Sequence, residues 1–147
     1  MRFLPPQEWE RCEFLLRVDA DVSFDSTVVK SLLSEFANDP TLGIGGPALF
    51  EPSRGGWHEM RVPRFQANGP MKVYSRACFK AIGGLNPGEG WDTIDLVSAM
   101  MNGFKTACFR HIHARHHRPM GKARGAWVTQ CRRDAPHISR GIHGFLC

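Results

Sequence analysis

What the chain lacks narrows its nature first. No stretch approaches the roughly 18 consecutive apolar residues of a membrane-crossing helix. The opening, MRFLPPQEWERCEF, has no apolar core of signal-peptide length and is broken by Pro5, Pro6 and charges. The expected location is therefore the cytoplasm. The five cysteines, Cys12, Cys78, Cys108, Cys131 and Cys147, are odd in number and widely spaced. None stands in a C-x-x-C pair, which argues against a zinc knuckle or a disulfide framework and for reduced, mostly buried thiols. No internal repeat is visible. The basic C-terminal run lacks the interleaved aromatics of a base-stacking platform, which argues against a nucleic-acid partner.

What is present belongs to a globular chain. The 147 residues suit one domain with a real core, and 42% of them are hydrophobic. The net charge of +5 is unevenly placed. From Arg110 to Cys147 there are eight Lys/Arg, one acid and six of the seven histidines. A basic end beside a mildly acidic body suggests an anionic partner, such as a phosphate, a nucleotide or a membrane surface.

Along the chain, residues 1–12 read as a lead-in, and CEFLLRVDADV as a strand. Asp25 or Ser26 is the expected N-cap of a helix through STVVKSLLSEFAND. There Val28, Val29, Leu32, Leu33 and Phe36 share one face, and Pro40 closes the helix. LGIGGPALFEP reads as a glycine-rich strand, followed by a long polar loop without periodicity, SRGGWHEMRVPRFQANG. PMKVYS is a short strand and SRACFKAIGG a helix stopped at Gly83-Gly84. DTIDLVSAMMNG is a helix with an expected apolar stripe of Ile94, Val97, Met100, Met101 and, beyond its end, Phe104. FKTACFRHI is a last strand, followed by an Arg/His-rich tail with a short helix around Gly125–Arg133. This order is an α/β layout, in which ligands bind beyond the carboxyl ends of strands.

Three constellations have chemical potential. At the first strand's exit, Asp19 and Asp21 flank Ala20. Two carboxylates so close repel unless a cation lies between them, and Mg²⁺ or Mn²⁺ would accept both plus substrate phosphate. The alternative is a solvated turn. In GWDTIDL, Asp92 falls at a helix N-terminus and Asp95 one turn on, either as capping acids or as a general base. In HIHARHHRPMG, the histidines with Arg110, Arg115 and Arg118 suit a metal or phosphate oxygens, or form only a solvated basic tail.

Taken in order, D-A-D, NGPMKVYSRACFKAIGGLNPGEGWDTIDL and GFKTACFRHIHARHHRPMG resemble the second half of a family 2, inverting, GT-A-fold glycosyltransferase, over roughly residues 13–121. The resemblance implies an incomplete GT-A (Rossmann-like) mixed sheet flanked by helices, with residues 122–147 a basic tail. It implies transfer of a sugar from a nucleoside-diphosphate donor to a glycan or lipid-linked acceptor hydroxyl with inversion, in polysaccharide or cell-surface glycan synthesis. Asp19 and Asp21, with His117, would hold Mg²⁺ or Mn²⁺. His116, His117 and Arg118 would grip the diphosphate. Asp92 or Asp95 would be the base. Trp57, Arg64, Asn68, Gly69 and Trp91 would lie on the acceptor side.

Trp91 stands where the family usually has Glu before its base. Only Met1–Cys12 precedes the D-A-D strand, so the nucleotide-binding half of the family is expected to be missing here. The alternative function is then an inactive remnant that binds or works with a partner. An uncovered sheet edge is expected to favour a homo-oligomer, and the basic tail a peripheral place at the inner face of the membrane.

Overall fold

The computed structural model describes residues 11–85 and 91–118. In chain order they form β1 (Phe14–Val18), β2 (Val22–Phe24), α1 (Val28–Asn38), β3 (Leu42–Ser53), β4 (Gly56–Glu59), β5 (Met71–Ser75), α2 (Arg76–Ala81), α3 (Trp91–Met101) and β6 (Lys105–His116). The strands make one mixed sheet in the order β1-β5-β3-β6-β2, with β4 added to β3. β3 and β6 are parallel, and every other pairing is antiparallel.

Alternation along the strands supplies two apolar faces. Val28, Leu32 and Phe36 of α1 recur every four residues and are buried against Leu42, Leu49, Met71, Val73, Ile112 and Ala114. Neighbouring residues point the other way. Tyr74 and Ile44 join Ala67, Cys78, Leu96 and Ala99 in a second cluster, with α2 and α3. Helices thus flank the mixed sheet on both faces, as expected. Gly43 lets the two layers meet: a Cβ there would lie 2.6 Å from Phe104 Cβ and 2.7 Å from Cys78 Sγ. Gly43→Ala is expected to destabilise the fold by about 1–3 kcal/mol, read as a lower urea midpoint at unchanged m-value.

A tight constraint shapes the functional end. β1 and β2 stand at opposite ends of the strand order, yet only residues 19–21 link them. In a flat sheet four strand spacings would separate them by about 19 Å. Val18 and Val22 can be no more than about 14 Å apart along the chain. The sheet therefore curls, bringing its outer strands together at the D-A-D turn. The β3–β6 register breaks within this sheet: Pro47 faces Phe109 but Ala48 faces His113, leaving residues 110–112 as excess in β6, an irregularity of the kind that bends strands.

Several local expectations change. The first predicted strand breaks at Asp19 into β1 and β2. Thr27, not Asp25 or Ser26, is the N-cap of α1, and its side chain makes no capping bond. The long polar loop contains β4, paired antiparallel to the end of β3. The last strand runs on to His116, so the start of the predicted basic tail is sheet. In α3 the buried residues are Asp95, Leu96 and Ala99, while Val97, Met100 and Met101 are 45%, 41% and 58% exposed. Three of the five predicted stripe residues thus face outward, because Asp95 is held inward by an ion pair described below. Ile94 is half-buried, and Phe104 packs against the second cluster. Cys78 and Cys108 are buried free thiols, whereas Cys12 is exposed. The short helix around Gly125–Arg133 lies outside the described residues.

Candidate functional site

The turn after β1 is pinned from two sides. The Asp19 amide donates to the Pro70 carbonyl (2.9 Å), and the His117 amide donates to the Asp21 carbonyl (2.9 Å). Arg17 donates to the Gly69 carbonyl, and its other terminal nitrogen lies 2.8 Å from Asp19 Oδ1. Partial burial holds the Asp19 carboxyl above its ordinary 3.8. Arg17 and His116 oppose that push, while Asp21 and Asp92 add to it. The folded protein therefore keeps this proton to higher pH than the unfolded chain, and stability falls as pH rises from 3.8 through the raised value. Asp19→Asn is expected to raise the melting temperature at neutral pH, with the gain vanishing below pH 3.8 in a pH series of thermal melts.

Across from the turn stands the end of β6. His116, on the buried face of β6, has Nδ1 3.0 Å from Glu51 Oε1 and Nε2 3.5 Å from Asp21 Oδ1. One imidazole thus lies between two carboxylates. With Nδ1–H donated to Glu51, Nε2 faces an Asp21 oxygen, and either a proton on Nε2 or a cation between the two satisfies both groups. Arg118 Nε lies 3.8 Å from Asp21 Oδ2, with most of its side chain in solvent.

The two acids of α3 part ways. Asp95 is fully engaged: Lys72 Nζ donates to both its oxygens (2.9 and 3.0 Å), the Tyr74 hydroxyl to Oδ2 (2.5 Å), and the Leu96 amide to Oδ1 (2.7 Å). Burial pushes the Tyr74 phenol far above its usual range and the Cys78 thiol up to about 12, with Asp95 adding to both. Asp92 sits in the first turn of α3, where Lys72 Nζ takes its backbone carbonyl (2.6 Å). Its carboxylate lies against Gly69, where a Cβ would come within 2.9 Å of Oδ2. A side chain at position 69 would push the Asp92 carboxylate aside. Asp92 is near enough to Asp19 for its charge to help raise that carboxyl.

The other predicted site residues are dispersed. Asn68 is buried, with its amide nitrogen 4.0 Å from Cys108 Sγ. Trp91 opens α3. Arg64 is exposed, and its carbonyl accepts from the Cys108 amide (2.7 Å). His117 pairs with Ser23 Oγ (2.7 Å) and packs edge-on to Trp57. Arg115 lies over the Trp57 ring at 5.3 Å. This corner borders a cleft of about 490 Å³ lined by Ser23, Asp25, Phe50, Trp57, His113 and Arg115, among others. His113 and His111 lie outside the acid cluster, contacting the Arg110 carbonyl and Glu35 respectively.

Sequence reasoning missed Glu51, Lys72, Tyr74 and Arg17. Glu51 and Lys72 were detectable as lone charges inside apolar strand runs, PALFEP and PMKVYS, where a charge is tolerated only with a partner.

The closest donor pair suits a hard divalent cation: Asp21 Oδ1 and His116 Nε2, 3.5 Å apart, with Asp19 two residues before Asp21. Among the described residues no three His, Cys, Asp or Glu side chains gather as a ready-made cage. Mg²⁺-type ions are commonly held by one or two carboxylates and completed by substrate phosphates and water, so the residues fit such an ion.

The fold is similar to that of GT-A-type glycosyltransferases of known structure. A mannosyltransferase, PcManGT from Pyrobaculum calidifontis, solved with GDP-Man and Mn²⁺, superposes at a TM-score of 0.64 and 14% identity over 89% of this chain. GalNAc-T7, solved with UDP, GalNAc and Mn²⁺, superposes at 0.57 and 14% identity over 74%. The chain spans 39% and 28% of those two proteins. No family model matches the sequence, and no curated protein does.

Proposed function

We propose that this chain is a glycosyltransferase that moves a sugar from a nucleoside-diphosphate donor to an acceptor hydroxyl with inversion. One observation carries the proposal: Asp19 and Asp21, the His116 end of β6 and the Asp92 end of α3 converge at one end of a GT-A-type sheet.

Asp21 and His116 Nε2 would hold Mn²⁺ or Mg²⁺, with Asp19 completing the oxygen side or meeting the donor ribose. A divalent cation bound there supplies positive charge to the diphosphate as it leaves. Arg118 and His117, at the exposed end of β6, add donors for phosphate oxygens. Asp92 takes the proton from the acceptor hydroxyl as that oxygen attacks the anomeric carbon, and a single in-line displacement inverts the centre. Asp95 has no free oxygen for that task, and it holds the helix that presents Asp92. Trp57, on the rim of the cleft, offers an aromatic face to an acceptor sugar. The acceptor class is a growing glycan or a lipid-linked sugar, reached at the inner face of a membrane through the basic C-terminal residues. No helix among the described residues is long and apolar enough to cross a membrane.

The companion reading, a chain that depends on a partner, is favoured by β1: β5 pairs with one of its edges, and no described strand pairs with the other. Leu16 and Val18 on it are 37% and 42% exposed.

Mn²⁺ titration in the presence of GDP or UDP tests the site. Losing a direct ligand costs at least what losing its supporting shell does, so Asp21→Ala is expected to weaken Mn²⁺ about a hundredfold. A wild-type chain that binds neither Mn²⁺ nor either nucleotide, alone or together, would sink the proposal.

A further inference from the structure

We infer that Glu51 is a positioning residue. It fixes His116 as the Nδ1–H tautomer, so that the Nε2 lone pair is aimed at the cation shared with Asp21. This rests on the proposed function only for the identity of the ion.

Glu51 lies in the second half of β3, on the same face as Leu49, and is 7% exposed. A carboxylate is seldom buried without a charged or strongly donating partner. Here that partner includes His116 Nδ1, 3.0 Å from Oε1, on a side chain that is itself 7% exposed. An ionised carboxylate only accepts hydrogen bonds, so the proton of this contact belongs to Nδ1. The other nitrogen, Nε2, points at Asp21 from 3.5 Å away and carries the lone pair that a cation would take in place of a proton. Imidazoles that ligate metals commonly donate their remote N–H to a carboxylate, which fixes ring orientation and makes the ligating nitrogen more basic.

The backbone supports the same aim. His116 pairs with Val22, and the next amide along, that of His117, donates to the Asp21 carbonyl. The ring, the turn and Glu51 therefore hold their places before any ion arrives. Pre-placed ligands of this kind avoid the ordering cost that a mobile histidine would impose on binding.

Three proteins decide the matter: the full wild-type chain, Glu51→Met, which fills the space without an acceptor, and Glu51→Gln, which keeps an acceptor oxygen. Two readouts are needed. Ring ¹⁵N shifts of His116, recorded without metal, report the tautomer, and Mn²⁺ titration by electron paramagnetic resonance reports affinity. The wild type and Glu51→Gln are expected to show Nδ1–H, and Glu51→Met to lose that signature. Mn²⁺ should bind Glu51→Met about 10- to 100-fold more weakly, with Glu51→Gln recovering most of the loss. A thermal melt of each variant confirms that all three fold. If folded Glu51→Met keeps both the tautomer and the wild-type Mn²⁺ affinity, the role of Glu51 is overturned while the proposed function stands. If the wild type binds neither Mn²⁺ nor GDP or UDP, alone or together, the proposed function fails, and the tautomer data alone decide whether Glu51 sets the ring.

Discussion

Asp92→Asn is expected to lower sugar transfer about 10²- to 10⁴-fold, the usual worth of a positioned general base, while Mn²⁺ and nucleotide still bind. The reason is positional. Of the two acids on α3, Asp95 is taken up by Lys72 and Tyr74, whereas the Asp92 carboxylate lies against the bare backbone of Gly69. Its charge is felt at Asp19, which places it beside the proposed donor site without making it a ligand there. The substitution keeps the shape and leaves the hydrogen bond from Lys72 to the Asp92 backbone carbonyl intact. The fold should therefore melt where the wild type does. Initial rates with a mixture of sugar acceptors, set beside Mn²⁺ titrations, separate lost chemistry from lost binding. Equal rates for Asp92→Asn and the wild type would remove Asp92 from the mechanism.

Asp95→Ala is expected to cost about 3–5 kcal/mol of stability, the penalty for breaking a buried ion pair from one side. Lys72 and Asp95 have side chains 0% and 3% exposed. Burial already presses the Lys72 ammonium below its ordinary 10.5, and Asp95 is the largest influence resisting that pressure. Without Asp95, the ammonium loses its counter-charge, and the Tyr74 hydroxyl and Leu96 amide lose an acceptor. Against a total of about 5–15 kcal/mol, the loss is large, lowering Tm by about 10–20 °C. Lys72→Met, Tyr74→Phe and Asp95→Leu together remove every charged or hydroxyl member of the cluster and should regain most of the stability. Urea melts of the single and triple variants provide the measurement. A single variant as stable as the wild type would mean the pair does not tie α3 to β5.

The same pair explains a good part of what could and could not be seen in the sequence. Hydropathy finds α1 because its inward face, Val28, Leu32 and Phe36, is wholly apolar. It misplaces the face of α3 because that helix buries a charge, and the partner, Lys72, stands 23 residues away. β6 was legible further than it was read. His111-Ile112-His113-Ala114-Arg115 alternates polar and apolar, and Ile112 and Ala114 are buried, which is the period of a half-buried strand. The D-A-D turn was legible as a pair of acids at a strand end. That a histidine 95 residues later would turn its ring toward Asp21, with Glu51 behind it, has no local signature. Spacing alone could not choose between His116, the last residue of β6, and His117 just beyond it. The choice between Asp92 and Asp95 depended likewise on Lys72 and Tyr74, which no pattern near either acid announces.

The brevity of the link between β1 and β2 has a mechanical meaning. Three residues draw the outermost strands of the sheet together, and two of the three are the acids. An ion gripped by Asp21 and His116 would therefore act as a clasp on a bent spring, joining the turn directly to the strand beside β2. Whatever flattens the sheet must pull that clasp open, and whatever closes the clasp must stiffen the bend. Loading with ion should then slow amide exchange in β1 and β6 together, although they share no hydrogen bond.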